Sequence, residues 1–162
     1  MLLVIPHNVR VQLREALVHA GRKEIGGILM GQDLGADRFR VSEVSVQMHG
    51  GTFASFVRLV QDCLAPLQRF FQTTKNNFKR FNYMGEWHSH HSFALVPSLK
   101  DHKSMFGIIE DDRVGANFVV LFLVKLNHED GVDGAVVVYV RNRTPYFGEV
   151  IWEDAQITPN EK

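Results

Sequence analysis

Four polar residues at short intervals have the types and spacing to carry out chemistry together. His88 and His90 are separated by one residue, and Ser98 and Asp101 follow them, so the segment has the pattern H-x-H-x7-S-x2-D. Residues two apart on a strand share a face and lie about 6.5 Å apart, which lets two imidazoles converge on one metal ion. Two imidazoles and one carboxylate leave a tetrahedral zinc ion one position for water. The pattern therefore predicts a catalytic zinc site.

Each half of this pattern also has a purely structural interpretation. The chain contains eight histidines, so two of them at a strand end are weak evidence by themselves. Ser98 and Asp101 precede an apolar helical segment and match a capping box, which needs no metal. The two interpretations are compatible, because an aspartate in the first turn of a helix can face either the backbone or a cation. The complete pattern is more specific than either half.

Two glutamates are candidates for the general base, the carboxylate that accepts a proton from a metal-bound water without binding the metal. Glu86 lies two residues before His88 on the same strand face, where it could act as the base or support a metal ligand. The alternative is that Glu86 is an ordinary solvated strand residue. Glu24 is distant in sequence but begins a segment with paired glycines, residues 24–31, that permits close packing. Spacing alone does not decide between the two glutamates.

The elements that must position these residues alternate between strands and helices. Apolar periodicity predicts strands at residues 2–5, 24–31, 39–46, 53–60, 83–90, 116–126, 134–141 and 146–152. Helical spacing predicts helices from Pro6 to Gly21, from about Asp62 with Pro66 in its first turn, and from Ser98 to Ile109. These elements indicate one α/β (α+β) domain built around one sheet, over residues 1–156, with 157–162 as a C-terminal tail.

Composition narrows the class of protein. Lys plus Arg equal Asp plus Glu at 18 each, so no overall field favours nucleic acid or an anionic membrane as a partner. The longest apolar run, Phe118–Val124, has the length of a strand and not of a membrane span. The apolar start ends at Pro6 and is too short for a secretory signal. The single cysteine, Cys63, suits a reducing compartment, and we expect a cytoplasmic protein.

Three segments together resemble the JAB/JAMM (MPN+) zinc metallopeptidases. They are Glu24 to Gly31, Gly85 to His90, and Pro97-Ser98 followed by Asp101. The resemblance implies a mixed, curved sheet flanked by helices, in which His88, His90 and Asp101 bind one zinc ion with water as the fourth ligand. It also implies that Glu24 is the general base and that Ser98 stabilises the oxyanion of the tetrahedral intermediate.

The resemblance also implies a reaction and partners. The family hydrolyses amide or isopeptide bonds, often after the C-terminal glycine of ubiquitin or a ubiquitin-like protein. His91 departs from the family pattern, which commonly has proline after the second histidine. This variant is similar to bacterial members, some of them encoded beside ubiquitin-like proteins and E1-like and E2-like conjugating enzymes in antiphage-defence operons. We therefore expect a ubiquitin-like substrate and E1-like and E2-like partners.

Residues near the pattern have further expected roles. His91, Phe93 and Leu95 lie in the loop after the ligands, where they are expected to contact substrate; alternatively, the apolar ones anchor the loop. Trp87 alternates with the ligands and should point into the core. His102 is expected to face away from the metal site.

Two other functions are compatible with the same residues. One is a non-catalytic scaffold of the same fold, against which the complete set of site residues argues. The other is a metal hydrolase that acts on sulfur-carrier or small amino-acid conjugates, because the pattern specifies the chemistry and not the substrate.

Overall fold

The computed structural model describes residues 1–47, 56–90 and 94–154, with the backbone alone over residues 56–63. The strands in this part of the chain are β1 (Leu2–Ile5), β2 (Gly26–Gly35), β3 (Arg38–Val44), β4 (Phe81–Ser89), β5 (Phe118–Leu126), β6 (Val132–Val140), β7 (Tyr146–Phe147) and β8 (Glu149–Trp152). The helices are α1 (His7–Ala20), α2 (Phe56–Thr73) and α3 (Leu99–Glu110). Strands and helices alternate as expected for a mixed α/β chain.

All eight strands form one mixed sheet with the order β7-β6-β5-β4-β2-β3-β1-β8. The two strands at its ends, β7 and β8, are separated in sequence by Gly148 alone. The Gly148 N–H donates to the Val136 carbonyl of β6, and the Glu149 N–H donates to the Met1 carbonyl beside β1. The sheet therefore curves round until its edges meet, and it is nearly a barrel. This confirms the prediction of a curved mixed sheet.

The helices cover different faces of this sheet. Alternate residues of β5 point in opposite directions: Phe122 and Val124 belong to a core cluster with α1, and Leu121 and Leu123 belong to a second cluster with α3. Helix α2 packs through the buried Phe70 on Ile28 and Met30 of β2. Because β5 is buried on both faces, its sequence is a continuous apolar run rather than an alternating one.

Two glycines permit close backbone approaches next to β4. A Cβ atom at Gly27 would lie 2.0 Å from the Ser45 carbonyl oxygen, so no larger residue fits there. Gly85 has a φ of +145°, and a Cβ atom there would lie 2.0 Å from the Val120 carbonyl oxygen of β5. The expected close approach at the paired glycines is therefore confirmed at Gly27, where the neighbour is backbone.

One predicted element is wrong. Residues 56–60 of the strand predicted at 53–60 belong to helix α2, and residues 53–55 lie outside the described part of the chain. Since α2 begins at Phe56, Pro66 lies in the helix interior and not in the first turn. A short apolar run fits either structure, and Val57, Val60, Leu64 and Leu67 also recur at helical spacing.

The strand predicted at residues 146–152 is divided at Gly148 into β7, which pairs with β6, and β8, which pairs with β1. The other strands and helices lie within a few residues of their predicted positions. None of the helices in the described residues is long and apolar enough to cross a membrane.

Candidate metal centre

The end of β4 and the start of β2 bring the candidate residues of the two strands together. The strands are antiparallel, with Gly26 opposite His88. One residue further, the Ile25 N–H donates to Ser89 Oγ (3.0 Å) and the Ser89 N–H donates to the Ile25 carbonyl (2.8 Å). Glu24 directly precedes Ile25 in the sequence, and His90 directly follows Ser89. The distant glutamate thus lies at the same end of the sheet as the histidines.

Three side chains converge on a point that can hold a metal ion. The Nε2 atoms of His88 and His90 are 3.1 Å apart, and His88 Nε2 is 3.6 Å from Asp101 Oδ1. One ligand atom from each residue lies within 4.8 Å of the others. Ligand atoms of a tetrahedral zinc ion, bound at about 2.0–2.1 Å, lie about 3.3 Å apart. The observed distances therefore fit the predicted ligand set.

A hydrogen bond orients the His90 ring for metal binding. Its Nδ1 atom lies 2.9 Å from the Ala94 carbonyl oxygen. A carbonyl oxygen only accepts hydrogen bonds, so Nδ1 is the donor in this contact. Backbone carbonyls commonly hold metal-binding histidines in this way. The contact directs Nε2 of His90 towards the candidate metal position.

The two oxygens of the Asp101 carboxylate face different partners. Its Oδ2 accepts from the Ser98 N–H (2.7 Å), and its own N–H donates to Ser98 Oγ (3.2 Å), which completes a capping box at the start of α3. Its other oxygen, Oδ1, faces His88. The same carboxylate therefore caps the helix with one oxygen and offers the other to a cation.

The imidazole of His88 lies in a buried environment. Its residue is 8 % exposed, and burial lowers the pKa of the ring, an effect that Asp101 opposes and His90 reinforces. A neutral imidazole is the form that binds metal ions. Trp87, the next residue on the other face, is fully buried and donates through Nε1 to the Ser45 carbonyl (2.8 Å). The prediction that Trp87 points into the core is confirmed.

Glu86 is buried, so the interpretation of this residue as a solvated strand position is wrong. It is 5 % exposed, and burial, together with the nearby charge of Asp101, raises its pKa to about 8. Glu24, in contrast, is exposed. The buried Glu86 therefore lies close to Asp101, the carboxylate of the candidate ligand set.

The substrate residues predicted from the loop are only partly described. His91 and Phe93 lie outside the described residues. Leu95 is half-buried and packs against the core cluster beneath α3. This packing favours the alternative in which Leu95 anchors the loop. Val96 and Leu99, on either side of Pro97 and Ser98, are 55 % and 89 % exposed. Apolar surface next to the candidate site therefore comes from Val96 and Leu99.

Two residues beside the site had no signal in the sequence pattern. His102 is absent from the group of ligand atoms, as expected, but its Nδ1 lies 2.8 Å from the hydroxyl of Tyr139 on β6. Tyr139 is fully buried, and burial and the charge of Asp101 raise its pKa. In sequence, Tyr139 is part of an apolar strand. Only the packing of α3 across β5 and β6 brings it next to the metal ligands.

Comparisons with known proteins find a matching family. A family model described as prokaryotic homologs of the JAB domain matches residues 6–146. This range includes the three candidate ligands, Glu24 and Ser98. No curated protein matches the sequence.

Two solved structures have a similar fold. One is the solution structure of a protein from Desulfitobacterium hafniense, with a TM-score of 0.64, 14% sequence identity and 94% of each chain covered. The other is the solution structure of a protein from Salinibacter ruber, with a TM-score of 0.54, 13% identity and coverage of 98% of this chain and 95% of that chain. At these identities the likeness concerns the fold alone.

Proposed function

Because this chain belongs to the prokaryotic homologues of the JAB domain, a family that includes peptidases, we propose that it is a zinc-dependent metallopeptidase. Its proposed substrate is the peptide or isopeptide bond after the C-terminus of a ubiquitin-like protein. One observation carries this proposal: His88 Nε2 lies 3.1 Å from His90 Nε2 and 3.6 Å from Asp101 Oδ1. Three protein ligands leave one position open, which separates catalytic from structural zinc sites.

The bound zinc ion would supply Lewis acidity that lowers the pKa of its water to about 7. Glu24 is the proposed general base, which accepts a proton and returns it to the leaving amine. Its exposure supports this assignment, because substrate and leaving group enter and leave from solvent. Glu86 is enclosed under the site, where exchange with substrate is restricted. The exposure of Glu24 and the burial of Glu86 thus both favour Glu24 as the general base, as the family resemblance does.

Ser98 is the proposed donor to the oxyanion of the tetrahedral intermediate. Its Oγ accepts the Asp101 N–H, and the hydroxyl keeps its own proton for donation outwards. The capping box holds the hydroxyl close to a metal ligand before substrate binds. Removal of a preorganised donor of this kind from comparable sites lowers kcat about 10²–10³-fold.

The proposed substrate is a protein and not a small conjugate. Val96 and Leu99 expose apolar surface on either side of Ser98, and such surface contacts a protein more readily than a small polar molecule. The His-Ser-His-His variant of the motif supports bacterial conjugation systems, with E1-like and E2-like enzymes, as the source of this substrate.

Zinc content and cleavage of a ubiquitin-like fusion protein, measured on the same preparation, test the proposal. We expect about one zinc ion per chain and cleavage directly after the ubiquitin-like domain. The Glu24→Gln variant should bind zinc like wild type and lose about 10²–10⁴ in rate, the usual contribution of a general base. Wild-type protein without zinc, or undiminished cleavage by Glu24→Gln, would contradict the proposal.

Two other glutamate variants make this test specific. Glu129→Gln, at an exposed turn between β5 and β6, is the matched control and should cleave like wild type. Loss of turnover in Glu86→Gln alone, with zinc still bound, would transfer the role of base to Glu86. Cleavage of small amino-acid amides with no activity on the fusion protein would favour the small-conjugate hydrolase. An absence of both zinc and cleavage would favour a scaffold.

A further inference from the structure

The first turn of α3 carries a metal ligand but has little apolar packing. The buried residues of this helix are Met105, Ile108 and Ile109, all of them beyond the first turn. Leu99, at the start, is 89 % exposed. Helix ends fray unless something fixes them. The orientation of Asp101 therefore depends on polar contacts rather than on burial.

Tyr139 provides a contact between this turn and the sheet. Its hydroxyl lies 2.8 Å from His102 Nδ1, and His102 directly follows Asp101. The Tyr139 ring is fully buried and meets Phe106 edge-to-face, with centroids 5.5 Å apart and planes at 89°. A rigid core ring thus presents its single polar atom to the turn that contains the ligand. The capping box cannot replace this contact, because it joins α3 only to the residue before it.

We propose that the Tyr139–His102 hydrogen bond holds the Asp101 carboxylate in position towards His88 and His90. Tyr139 and His102 are then positioning residues of the metal centre, which act on the metal through Asp101. This inference rests on the proposed function, in which these three ligands bind zinc. Residues that orient a ligand typically change metal affinity about 10–100-fold when they are lost.

The Tyr139→Phe variant tests the proposal because it keeps the packed ring and removes only the hydroxyl. Zinc affinity is measured by competition with a chelator, and ligand geometry by the visible absorption of the cobalt-substituted protein. We expect about tenfold weaker zinc binding and an altered cobalt spectrum. The matched control is Tyr146→Phe on β7, where the tyrosine is 43 % exposed; both measurements should remain as in wild type.

Variants of His102 distinguish positioning from general stability. If both residues act through one hydrogen bond, His102→Ala should weaken zinc binding as much as Tyr139→Phe does. The double variant with both substitutions should then bind zinc no more weakly than either single variant. His102→Asn supplies a replacement acceptor, so it should restore part of the affinity when Tyr139 is present but not in the Tyr139→Phe background. Should Tyr139→Phe fail to fold, the two His102 variants decide the question by the same measurements.

Two results separate the possible failures. A Tyr139→Phe protein that is less stable without metal, yet keeps wild-type zinc affinity and cobalt spectrum, overturns the positioning role and leaves the proposed function intact. Wild-type protein that binds neither zinc nor cobalt overturns the proposed function itself.

Discussion

Helices α1 and α3 begin in different ways, although each follows a residue with extended backbone. Pro6 precedes α1 and provides no side-chain cap. Ser98 precedes α3 and forms a complete capping box with Asp101. Burial along α1 starts in its first turn, at Val9, whereas burial along α3 starts at Met105. Apolar packing therefore holds α1, and polar contacts hold the start of α3.

This difference follows from what each helix carries. None of the candidate site residues lies on α1, so its inner face can be entirely apolar. The first turn of α3 presents Asp101 to the two imidazoles, and a buried apolar side chain there would compete for the same space. Its polar contacts fix the turn and also orient a ligand. Substitutions in α1 should consequently change stability alone, and substitutions at the start of α3 should also change metal binding.

The largest loss of stability is expected from Leu13→Ala in α1. Leu13 is fully buried in the main core cluster, and comparable substitutions cost about 2–5 kcal/mol. Urea denaturation of metal-free protein measures this loss, and zinc stoichiometry at low temperature should stay at the wild-type value. Val18→Ala, at a position 54 % exposed on the same helix, is the control and should change stability by less than about 0.5 kcal/mol. A loss of zinc binding in folded Leu13→Ala would break the contrast between the helices.

Asp101→Asn should separate the two roles of this residue. The amide oxygen can still accept from the Ser98 N–H, so metal-free stability should change by less than about 1 kcal/mol. The lost negative charge should weaken zinc binding on the order of 100-fold or more. Asp112→Asn, at an exposed position beyond the other end of α3, should keep wild-type affinity in the same chelator competition. Equal affinity of Asp101→Asn and wild type would remove Asp101 from the ligand set.

Ser98→Ala should show how much the capping box contributes to α3. Loss of an N-cap side chain costs about 1 kcal/mol, which urea denaturation of the metal-free protein can resolve. Ser98→Thr keeps a capping hydroxyl and should lose less. Unchanged stability in Ser98→Ala would mean that packing alone holds α3, as it holds α1.

The smallest effect is expected at the other end of α3, at Asp111. Hydrogen bonds from Arg113 lower the pKa of Asp111 from 3.8 to about 2. A lowered pKa in the folded state means that the ionised carboxylate stabilises the fold above about pH 4, and that this contribution disappears as the pH falls through about 2. Metal-free wild type should therefore exceed Asp111→Asn in stability at pH 5, with the difference vanishing near pH 2. Arg113→Gln removes the side-chain hydrogen bonds and keeps the backbone one, so it should reduce the same difference. A constant difference at every pH would contradict this explanation.

Much of the secondary structure can be predicted from local periodicity. The strand at Leu2–Ile5 and the helix ending before Gly21 have the predicted bounds, because alternation and helical spacing depend only on neighbouring residues. The error at residues 56–60 arises where one apolar run fits both a strand and a helix. Strand order was not predicted, since the closure of the sheet around Gly148 depends on contacts between distant parts of the chain.

The candidate site, too, was predicted only where it depends on local spacing. The spacing of His88, His90, Ser98 and Asp101 predicted a metal site and a helix cap. The structure contains the cap, and it brings His88, His90 and Asp101 together in a group that could hold a metal ion. Spacing could not choose between Glu24 and Glu86, because their difference lies in burial. No local pattern indicated that Tyr139 reaches His102, since the two residues lie on elements separated by β5.

By itself, the sequence determined the kinds of ligand, the elements that carry them and the helix cap, since these depend on residue types and on spacing within one strand or turn. Only the tertiary structure decided that Glu24 lies at the same end of the sheet as His88, that Glu86 is buried, and that the Tyr139 hydroxyl lies beside His102. The physical reason is that burial and long-range hydrogen bonds are properties of packed surfaces, and those surfaces exist only after distant strands and helices have come together.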